Sequence, residues 1–412
     1  MLFFDIVLFF NPSLFIVPFQ NKSYMTSLKS SLVKLSYLLN FIGSGSTPKQ
    51  NMNYYHGTIS WVTLGDLNDS YIHKTLRTIT TKAMQDTHLY LFPPNSLLVG
   101  LNGSVFKLGL LSIEATINQN CCGLVCNPHL LSYKYLFYFI LYYRFFCFLN
   151  PKSVLFASIT SSILKSIKLP FCSLSKQQEL ISFLDRKSHL IQELFQKIDL
   201  LLKKLEDYQT SLINEQVIQN NPSINYIKFK YLFKERNELT LDTLTYPCFS
   251  VSRIIGIIPL GKNVTKTRIP LKRKIIYPND LVLKARSWGD HHYASALSSV
   301  TGSLSSVYFV FYSISNIINL KYMDYLFQSV FFKYQFLLLG KGIGDLTWST
   351  HYNQLKELKW NFPSLLHQNE IVSFLTPKLE ALSKLKHHYT SLKVLLEEYQ
   401  QSLLYETFQN LL

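Results

Sequence analysis

Leu174–Val217 reads LSKQQELISFLDRKSHLIQELFQKIDLLLKKLEDYQTSLINEQV, and Leu365–Phe408 reads LLHQNEIVSFLTPKLEALSKLKHHYTSLKVLLEEYQQSLLYETF. The two align without a gap at an offset of 191 residues, and 16 of the 44 positions are identical. The matches include Gln177/Gln368, Glu179/Glu370, Phe183/Phe374, Tyr208/Tyr399, Ser211/Ser402 and Glu215/Glu406. Random pairing gives only a few identities. The chain is therefore two copies of one plan, each a long dissimilar segment followed by a helical one.

Each helical copy reads as a short helix followed by a long one. Ser175 with Gln178 three residues on is a capping-box pattern, and Asp185 is placed to cap the second helix. In the second copy Thr376 stands where Asp185 does and is followed by Pro377, a strong helix-start signal. Leu366 replaces Ser175, so the cap of that short helix is expected to be lost. The long helices carry a seam. Ile191, Leu194, Ile198, Leu201, Leu205, Tyr208 and Leu212 are spaced 3, 4, 3, 4, 3, 4, as are Leu382, Leu385, Tyr389, Leu392, Leu396, Tyr399 and Leu403. This is the coiled-coil alternation. The alternative is a helix packed on its own domain. Two matching seams favour pairing with each other, and an antiparallel pair of roughly 45 Å would hold two domains apart.

The division predicted is an N-terminal extension at 1–25, a domain at 26–173, a helical repeat at 174–224, a second domain at 225–364 and a second helical repeat at 365–412. The chain has 41 Lys+Arg against 25 Asp+Glu, a formal charge of +16. Apportioned, residues 26–173 carry +8, residues 225–364 carry +10, and the helical stretches 174–218 and 365–412 carry −1 each. The basic excess belongs to the two dissimilar segments, and it calls for a polyanionic partner. Both segments have mixed α/β patterns. Strand-like runs such as Ile59–Leu64, Ser96–Val99, Asp280–Leu283 and Val307–Phe311 alternate with Gly/Asn/Pro turns.

With 48% hydrophobic and 15% aromatic residues, the chain can build real cores and is not wholly disordered. Cys121, Cys122, Cys126, Cys147, Cys172 and Cys248 lack the spacing of a disulfide framework, which points to a reducing, intracellular compartment. Cys121-Cys122-x3-Cys126-x2-His129 faintly suggests zinc, but no second ligand pair follows, and buried thiols are the simpler reading. Residues 1–19, MLFFDIVLFFNPSLFIVPF, are very apolar. Asp5, Pro12, Pro18 and the missing small-residue cleavage site argue against a signal peptide or a span. The stretch reads as a packed strand or as a non-native extension with Met25 as a later start. The run Tyr135–Leu149 carries Arg144 and is too short to span a membrane; it reads as a buried helix.

Catalytic signatures are weak. Phe92-Pro93-Pro94-Asn95 does not fit the loop with which an amino-methyltransferase holds a flipped base. Gly340-Lys341-Gly342-Ile343-Gly344 lacks the frame of a phosphate-cradling loop and reads as a turn. The only acids in 26–173 are Asp66, Asp69, Asp86 and Glu114, few for a metal-dependent nuclease. Glu357-x-Lys359 reads as a solvated helix face, and His291-His292 and His387-His388 lack further ligands. Two stretches do suggest DNA contact. Lys262, Lys266, Arg268, Lys272, Arg273 and Lys274 place six cations in thirteen residues without an acid, suited to neutralising phosphates. Arg286-Ser287-Trp288-Gly289-Asp290-His291-His292-Tyr293 joins donors, aromatics and a glycine, as base-edge readers do. Trp61, Asn68 and Arg77 are the corresponding candidates in the first segment.

These residues resemble the specificity subunit of type I restriction–modification systems. Gly43-Ser44-Gly45-Ser46-Thr47-Pro48 followed by Ile59-Ser60-Trp61-Val62-Thr63-Leu64-Gly65-Asp66-Leu67 is similar to the opening of one class of target-recognition domain, and Leu91-Phe92-Pro93 and Ala115–Gln119 continue it. Phe249-Ser250-Val251-Ser252 with Gly256-Ile257-Ile258-Pro259 is similar to another class. Leu169-Pro170-Phe171-Cys172-Ser173-Leu174-Ser175-Lys176-Gln177-Gln178 resembles the family's helix entry, with Phe171-Cys172 in place of its second proline. The resemblance implies an α+β fold in which two α/β target-recognition domains are separated by two long repeated helices forming an antiparallel coiled coil with a pseudo-two-fold repeat. It implies a cytoplasmic, non-catalytic subunit that reads a bipartite double-stranded DNA target, one domain per half-site. Modification subunits, two in number, and restriction subunits would be its partners. No cofactor or metal is expected on this chain; S-adenosylmethionine, ATP and Mg are expected on the partners, and no membrane is involved. A competing reading is a coiled-coil scaffold whose basic domains bind nucleic acid or membrane without sequence preference.

Overall fold

Apolar runs and turn residues in the first dissimilar segment build strands β1 (Ser31–Lys34), β2 (Leu39–Ser44), β3 (Tyr55–Val62), β4 (Ser70–Ile72) and β5 (Arg77–Ile79). Helix α1 (Thr81–Asp86), strands β6 (Leu97–Gly100), β7 (Leu108–Leu111), β8 (Thr116–Ile117) and β9 (Cys121–Cys126), helices α2 (Tyr133–Leu149) and α3 (Ser161–Ser166) and strand β10 (Lys168–Phe171) follow. The computed structural model describes residues 31–49, 51–101, 106–149, 160–219, 226–252, 256–260, 272–284, 286–288, 294–339, 341–342, 347–349 and 352–411. The apolar extension at 1–25 lies outside them. Two units emerge, one from residues 1–194 with 394–412 and one from residues 195–393.

In the first unit a five-stranded sheet runs in the order β2-β9-β6-β7-β4, beside a three-stranded sheet β5-β3-β8 and the pair β1-β10. Strands β6 and β7 are buried along their length, as centre strands covered on both faces must be. Alternation sends Leu97 and Val99 to the core beneath α2, and Leu98 to a second core with Val62, Phe92 and Ile117. The predicted buried helix is α2: Tyr135, Leu136, Phe139 and Ile140 are inaccessible.

The second dissimilar segment gives β11 (Tyr226–Lys228), β12 (Phe233–Glu235), β13 (Leu239–Thr240), β14 (Phe249–Ser252), β15 (Gly256–Pro259), β16 (Arg273–Ile276), β17 (Leu281–Lys284) and β18 (Arg286–Trp288). Then come β19 (Ser295–Leu297), β20 (Gly302–Ser305), β21 (Tyr308–Ser313), α5 (Leu320–Gln328), α6 (Val330–Leu339), β22 (Lys341–Gly342), β23 (Thr347–Ser349), α7 (Tyr352–Leu355) and β24 (Lys359–Asn361). Its main sheet is β12-β21-β17-β19. The same turn enters the buried strand of each main sheet. Asn95 has φ 68° and Asn279 φ 70°, each after a proline. Ser96 N donates to Pro93 O at 3.3 Å and Asp280 N to Tyr277 O at 3.1 Å. Proline at the second position and a left-handed asparagine at the third make a type II turn, here Pro93-Pro94-Asn95-Ser96 and Tyr277-Pro278-Asn279-Asp280.

The helical repeats are α4 (Leu174–Asn214) and α8 (Leu365–Gln409). Each is continuous, where a short helix and a capped long one were expected. Asp185 and Thr376 are interior residues, not caps. Asp185 Oδ1 accepts from Tyr138 Oη at 2.7 Å, and Oδ2 pairs with Lys134 at 2.6 Å. Pro377 cannot donate its amide; one residue earlier, Thr376 Oγ1 donates to Val372 O at 2.7 Å. The true caps are Ser173 and Ser364, which are themselves 191 residues apart. Ser173 Oγ accepts from Lys176 N and Ser364 Oγ from His367 N, both at 3.3 Å. The expected Ser175 cap, and its expected loss in the second copy, are both corrected by this. Helix α4 ends in a π-helical turn, Glu215–Gln219.

The seam is legible in the burial. Within the second unit Lys386 Nζ donates to Gln209 Oε1 and Lys393 Nζ to Asp199 Oδ1, both at 2.7 Å. Rising numbers on one helix meet falling numbers on the other, so the helices run antiparallel there. Ile191, Ile198, Leu212, Leu382, Tyr389, Leu396 and Leu403 are buried, and Leu194, Leu201, Leu205, Leu385, Leu392 and Tyr399 are partly so. Tyr208 departs from the pattern: at 46% exposure it faces solvent. Leu403, Leu404, Phe408 and Leu411 at the end of α8 join Leu180, Ile181 and Leu184 of α4 in the first unit's core, where Phe408 stacks on Tyr142 at 5.3 Å.

Candidate nucleic-acid interface

In the first unit the candidate surface is the loop after β3. Its shape comes from Asp66. Oδ2 accepts from Thr63 N at 2.8 Å and Thr63 Oγ1 at 2.9 Å, while Oδ1 accepts from Leu76 N at 2.8 Å. One carboxylate thus ties the start of the loop to its end. Asp69, held at φ 58°, is the second anchor. Its Oδ1 accepts from Leu108 N at 2.9 Å, and Arg144 Nη1 reaches both carboxylate oxygens at 3.0 and 2.9 Å. Between and beyond these anchors Asn68, Lys74, Leu76 and Arg77 are exposed, Leu76 at 79%. Anchored backbone below and exposed polar tips above suit a groove reader. Asn68 Oδ1 accepts from Ser70 Oγ at 2.7 Å.

Trp61 does not belong to this surface. It is 3% exposed and packs with Ile79 and Ala83, edge-on to Tyr55 at 5.9 Å. A base cannot stack on it without unfolding β3. It supports the loop from below, as a core residue.

Gly45, from the glycine-rich opening, lies against β8. Ser46 N donates to Ile117 O at 3.2 Å, and a Cβ on Gly45 would stand 1.8 Å from that same carbonyl oxygen. The glycine is there because no side chain fits.

In the second unit the six-cation stretch divides. Lys262, Lys266 and Arg268 lie outside the described residues. Lys272 is exposed. Arg273 and Lys274 are structural, against expectation. Arg273 Nε donates to Ser303 Oγ at 3.1 Å, and Nη2 to Phe249 O and Ser303 O at 3.2 Å. Lys274 is 8% exposed, and its Nζ is 2.7 Å from Glu235 and 5.7 Å from the Phe309 ring centre. Strand alternation puts Lys274 inward, and a buried ammonium needs a carboxylate there. The backbone of Arg286–Trp288 forms β18, paired with β23; the rest of that stretch, Gly289–Tyr293, lies outside the described residues. Beside this surface Arg236 pairs with Asp280 at 2.8 Å and lies over Tyr277 and Tyr312 at 4.7 and 4.8 Å. That arrangement holds β12 to the turn before β17.

The cysteine cluster is two buried thiols, Cys121 and Cys122, and a partly buried one, Cys126. Cys121 and Cys122 are inaccessible, and burial pushes their pKa up to about 12 and about 11, and that of Cys126 to about 12. Among the described residues no group of three or more His, Cys, Asp or Glu is placed to hold a metal, and no helix is long and apolar enough to cross a membrane. Glu357 is not simply a solvated residue: Lys228 and Lys230, each at 2.7 Å, hold its carboxyl at about 2.

Comparison with known proteins bears on this surface. Residues 30–204 match the model of the type I restriction modification DNA specificity domain. The chain is 27% identical over 175 residues to the type I restriction enzyme MjaIX specificity subunit of Methanocaldococcus jannaschii, covering 40% of this chain and 40% of that one. It is 25% identical over 183 residues to the EcoR124I/EcoR124II specificity subunit of Escherichia coli, covering 42% of this chain and 45% of that one. The chain thus matches less than half the length of these curated relatives. A solved chain from work on complex assembly and conformational transition of the type I R-M system has the same fold, with a TM-score of 0.67 at 10% identity, covering 94% of this chain and 100% of that one.

Proposed function

We propose that the chain, whose residues 30–204 match the model of the type I restriction modification DNA specificity domain, is the non-catalytic subunit that selects the DNA sequence on which its partners act. The observation that carries this reading is the Asp66-anchored loop, within the matched residues, that turns Asn68 and Arg77 outward. Each unit reads one half of a bipartite duplex target. The halves differ, because the exposed residues of the two units differ. The near-neutral helices α4 and α8 act as spacer and as the seat of modification subunits, two of them, with restriction subunits completing the complex. S-adenosylmethionine, ATP and Mg are held by those partners, in the cytoplasm.

The test is to map methylated adenines in cells that carry the modification partner with and without this chain. A two-part motif methylated only in its presence is the expected result. Methylation without a motif, or a motif that does not depend on the chain, overturns the reading. The spacer is tested separately, by inserting four residues into the helix at 191–212. The gap between half-sites should change; an unchanged gap refutes the spacer.

A further inference from the structure

Within the second unit a cleft of about 110 Å³ opens between helix and sheet. One wall is a single face of α4: Glu206, Gln209, Thr210 and Ile213 stand at helical spacing. Lys386 of α8, Ala294 and Ser295 at the start of β19, and Gln328, Val330 and Lys333 around the α5–α6 joint complete the lining. Two features single it out. Ser295 is 6% exposed and its Oγ has no hydrogen-bond partner. Lys386 is 7% exposed, with Nζ bonded to Gln209 Oε1 at 2.7 Å. A buried hydroxyl left unpaired is costly, so such groups normally have a ligand or water as partner.

We propose that this cleft binds a phosphate-type oxyanion. Its lining carries two ammonium groups, Lys333 and Lys386, against one carboxylate, Glu206, so it favours a negative guest. A single carboxylate is too few for a divalent cation. An apolar guest would leave the Ser295 hydroxyl without a partner. The volume matches three or four waters at about 30 Å³ each, room for one tetrahedral oxyanion. Ser295 Oγ supplies a neutral donor and Lys333 a partly exposed charged one, as phosphate sites do. Bound there, the anion would tie α4 and α8 to β19 and to the α5–α6 joint. Ser295 and Ala294 follow directly in the chain on the stretch Arg286–Tyr293, so occupancy of the cleft bears on that stretch too. The site does not depend on the DNA-reading role, and it stands or falls separately.

The test is thermal unfolding of the full chain in inorganic phosphate against chloride at equal ionic strength, at low millimolar concentrations where general salting effects are small. A saturable rise in Tm is expected with phosphate and not with chloride. Lys333→Met, at a partly exposed position the fold tolerates, should weaken phosphate about tenfold, the loss of one charge-assisted bond. Ser295→Ala should remove the phosphate response while leaving the phosphate-free Tm equal or higher, because an unpaired buried hydroxyl has gone. A phosphate response equal to that of chloride, or one kept by either variant, overturns the proposal. Competition distinguishes the source of the anion: displacement of phosphate by non-cognate duplex assigns the cleft to a backbone phosphodiester, and lack of displacement assigns it to a free phosphate.

Discussion

Gln177 and Gln368 make the same three hydrogen bonds, each within its own unit. Gln177 Oε1 accepts from Ser132 N at 2.8 Å, and Nε2 donates to Leu130 O and Cys172 O at 2.9 Å. Gln368 Oε1 accepts from Asn319 N at 2.8 Å, and Nε2 donates to Ile317 O at 3.1 Å and Pro363 O at 2.9 Å. Both side chains are fully buried. Each amide locks the first turn of a long helix to the backbone that enters α2 or α5, so the glutamine is the joint between repeat and domain. Gln177→Leu fills the same space but strands three backbone groups. A loss of roughly 2–4 kcal/mol is expected, as is the same loss for Gln368→Leu. Urea unfolding of the full chain, followed by fluorescence and circular dichroism, measures both.

Arg77 and Lys272 are exposed and reach solvent, whereas Trp61 and Lys274 are buried. Arg77→Ala and Lys272→Ala should weaken DNA binding, reducing the salt slope by about one where the lost contact is a phosphate, with unfolding midpoints unchanged. Trp61→Ala should instead cost about 3–5 kcal/mol of stability. Titrations at several salt concentrations beside a denaturation curve separate the two classes. A Trp61 variant with full stability and lost binding would reverse the assignment made here.

Gly45→Ala drives a methyl group into Ile117 O, which is backbone and cannot rotate away. Destabilisation of about 1–3 kcal/mol is expected from the displaced strand. Gly65→Ala, whose Cβ would meet nothing nearer than 3.8 Å, is the control. Thermal unfolding of the pair gives the comparison.

Cys121, Cys122 and Cys126 have folded-state pKa values raised to about 12, 11 and 12 by burial. An unfolded thiol ionises near 8.5, roughly. Above that value the unfolded chain has fewer bound protons than the folded one, so stability is intact below about pH 8.5 and falls as pH rises toward 11–12. Iodoacetamide labelling read by mass spectrometry should leave all three unmodified at pH 8 in the native protein and modify them in denaturant.

The repeat made the frame legible: a long helix with a 3-4 seam could be read from Ile191–Leu212 and Leu382–Leu403 because helical periodicity is local. The helix breaks were misread because Thr376-Pro377 is a start signal only when tertiary contacts do not override it, and here Tyr325 Oη sits 2.9 Å from Thr376 Oγ1. Tyr138 makes the equivalent bond to Asp185, so the position keeps its partner while changing its identity. The repeat also runs through the dissimilar segments, where little identity remains. Leu35 N donates to Ile167 O at 2.8 Å and Phe229 N to Leu358 O at 2.9 Å. Such pairings join residues far apart in the chain, and no local pattern announces them. The candidate surface was half legible for the same reason. Composition shows that a stretch is basic, but only the placed chain shows that Lys274, inside β16, is buried against Glu235 while Lys272, just before the strand, is exposed.

The second unit is a single uninterrupted stretch of chain, whereas the first is completed by residues 394–412. The order of synthesis therefore sets an order of assembly. During translation the second unit has all its residues before the first does. The layer of Tyr135, Phe139 and Tyr142 waits for Phe408 to arrive and close it. A ribosome that stalls before that point releases an aromatic surface without its cover, a ready target for chaperones and proteases. Closure of the first unit's aromatic layer is thereby placed on Phe408 and Leu411 of α8, made only after every residue of the second unit.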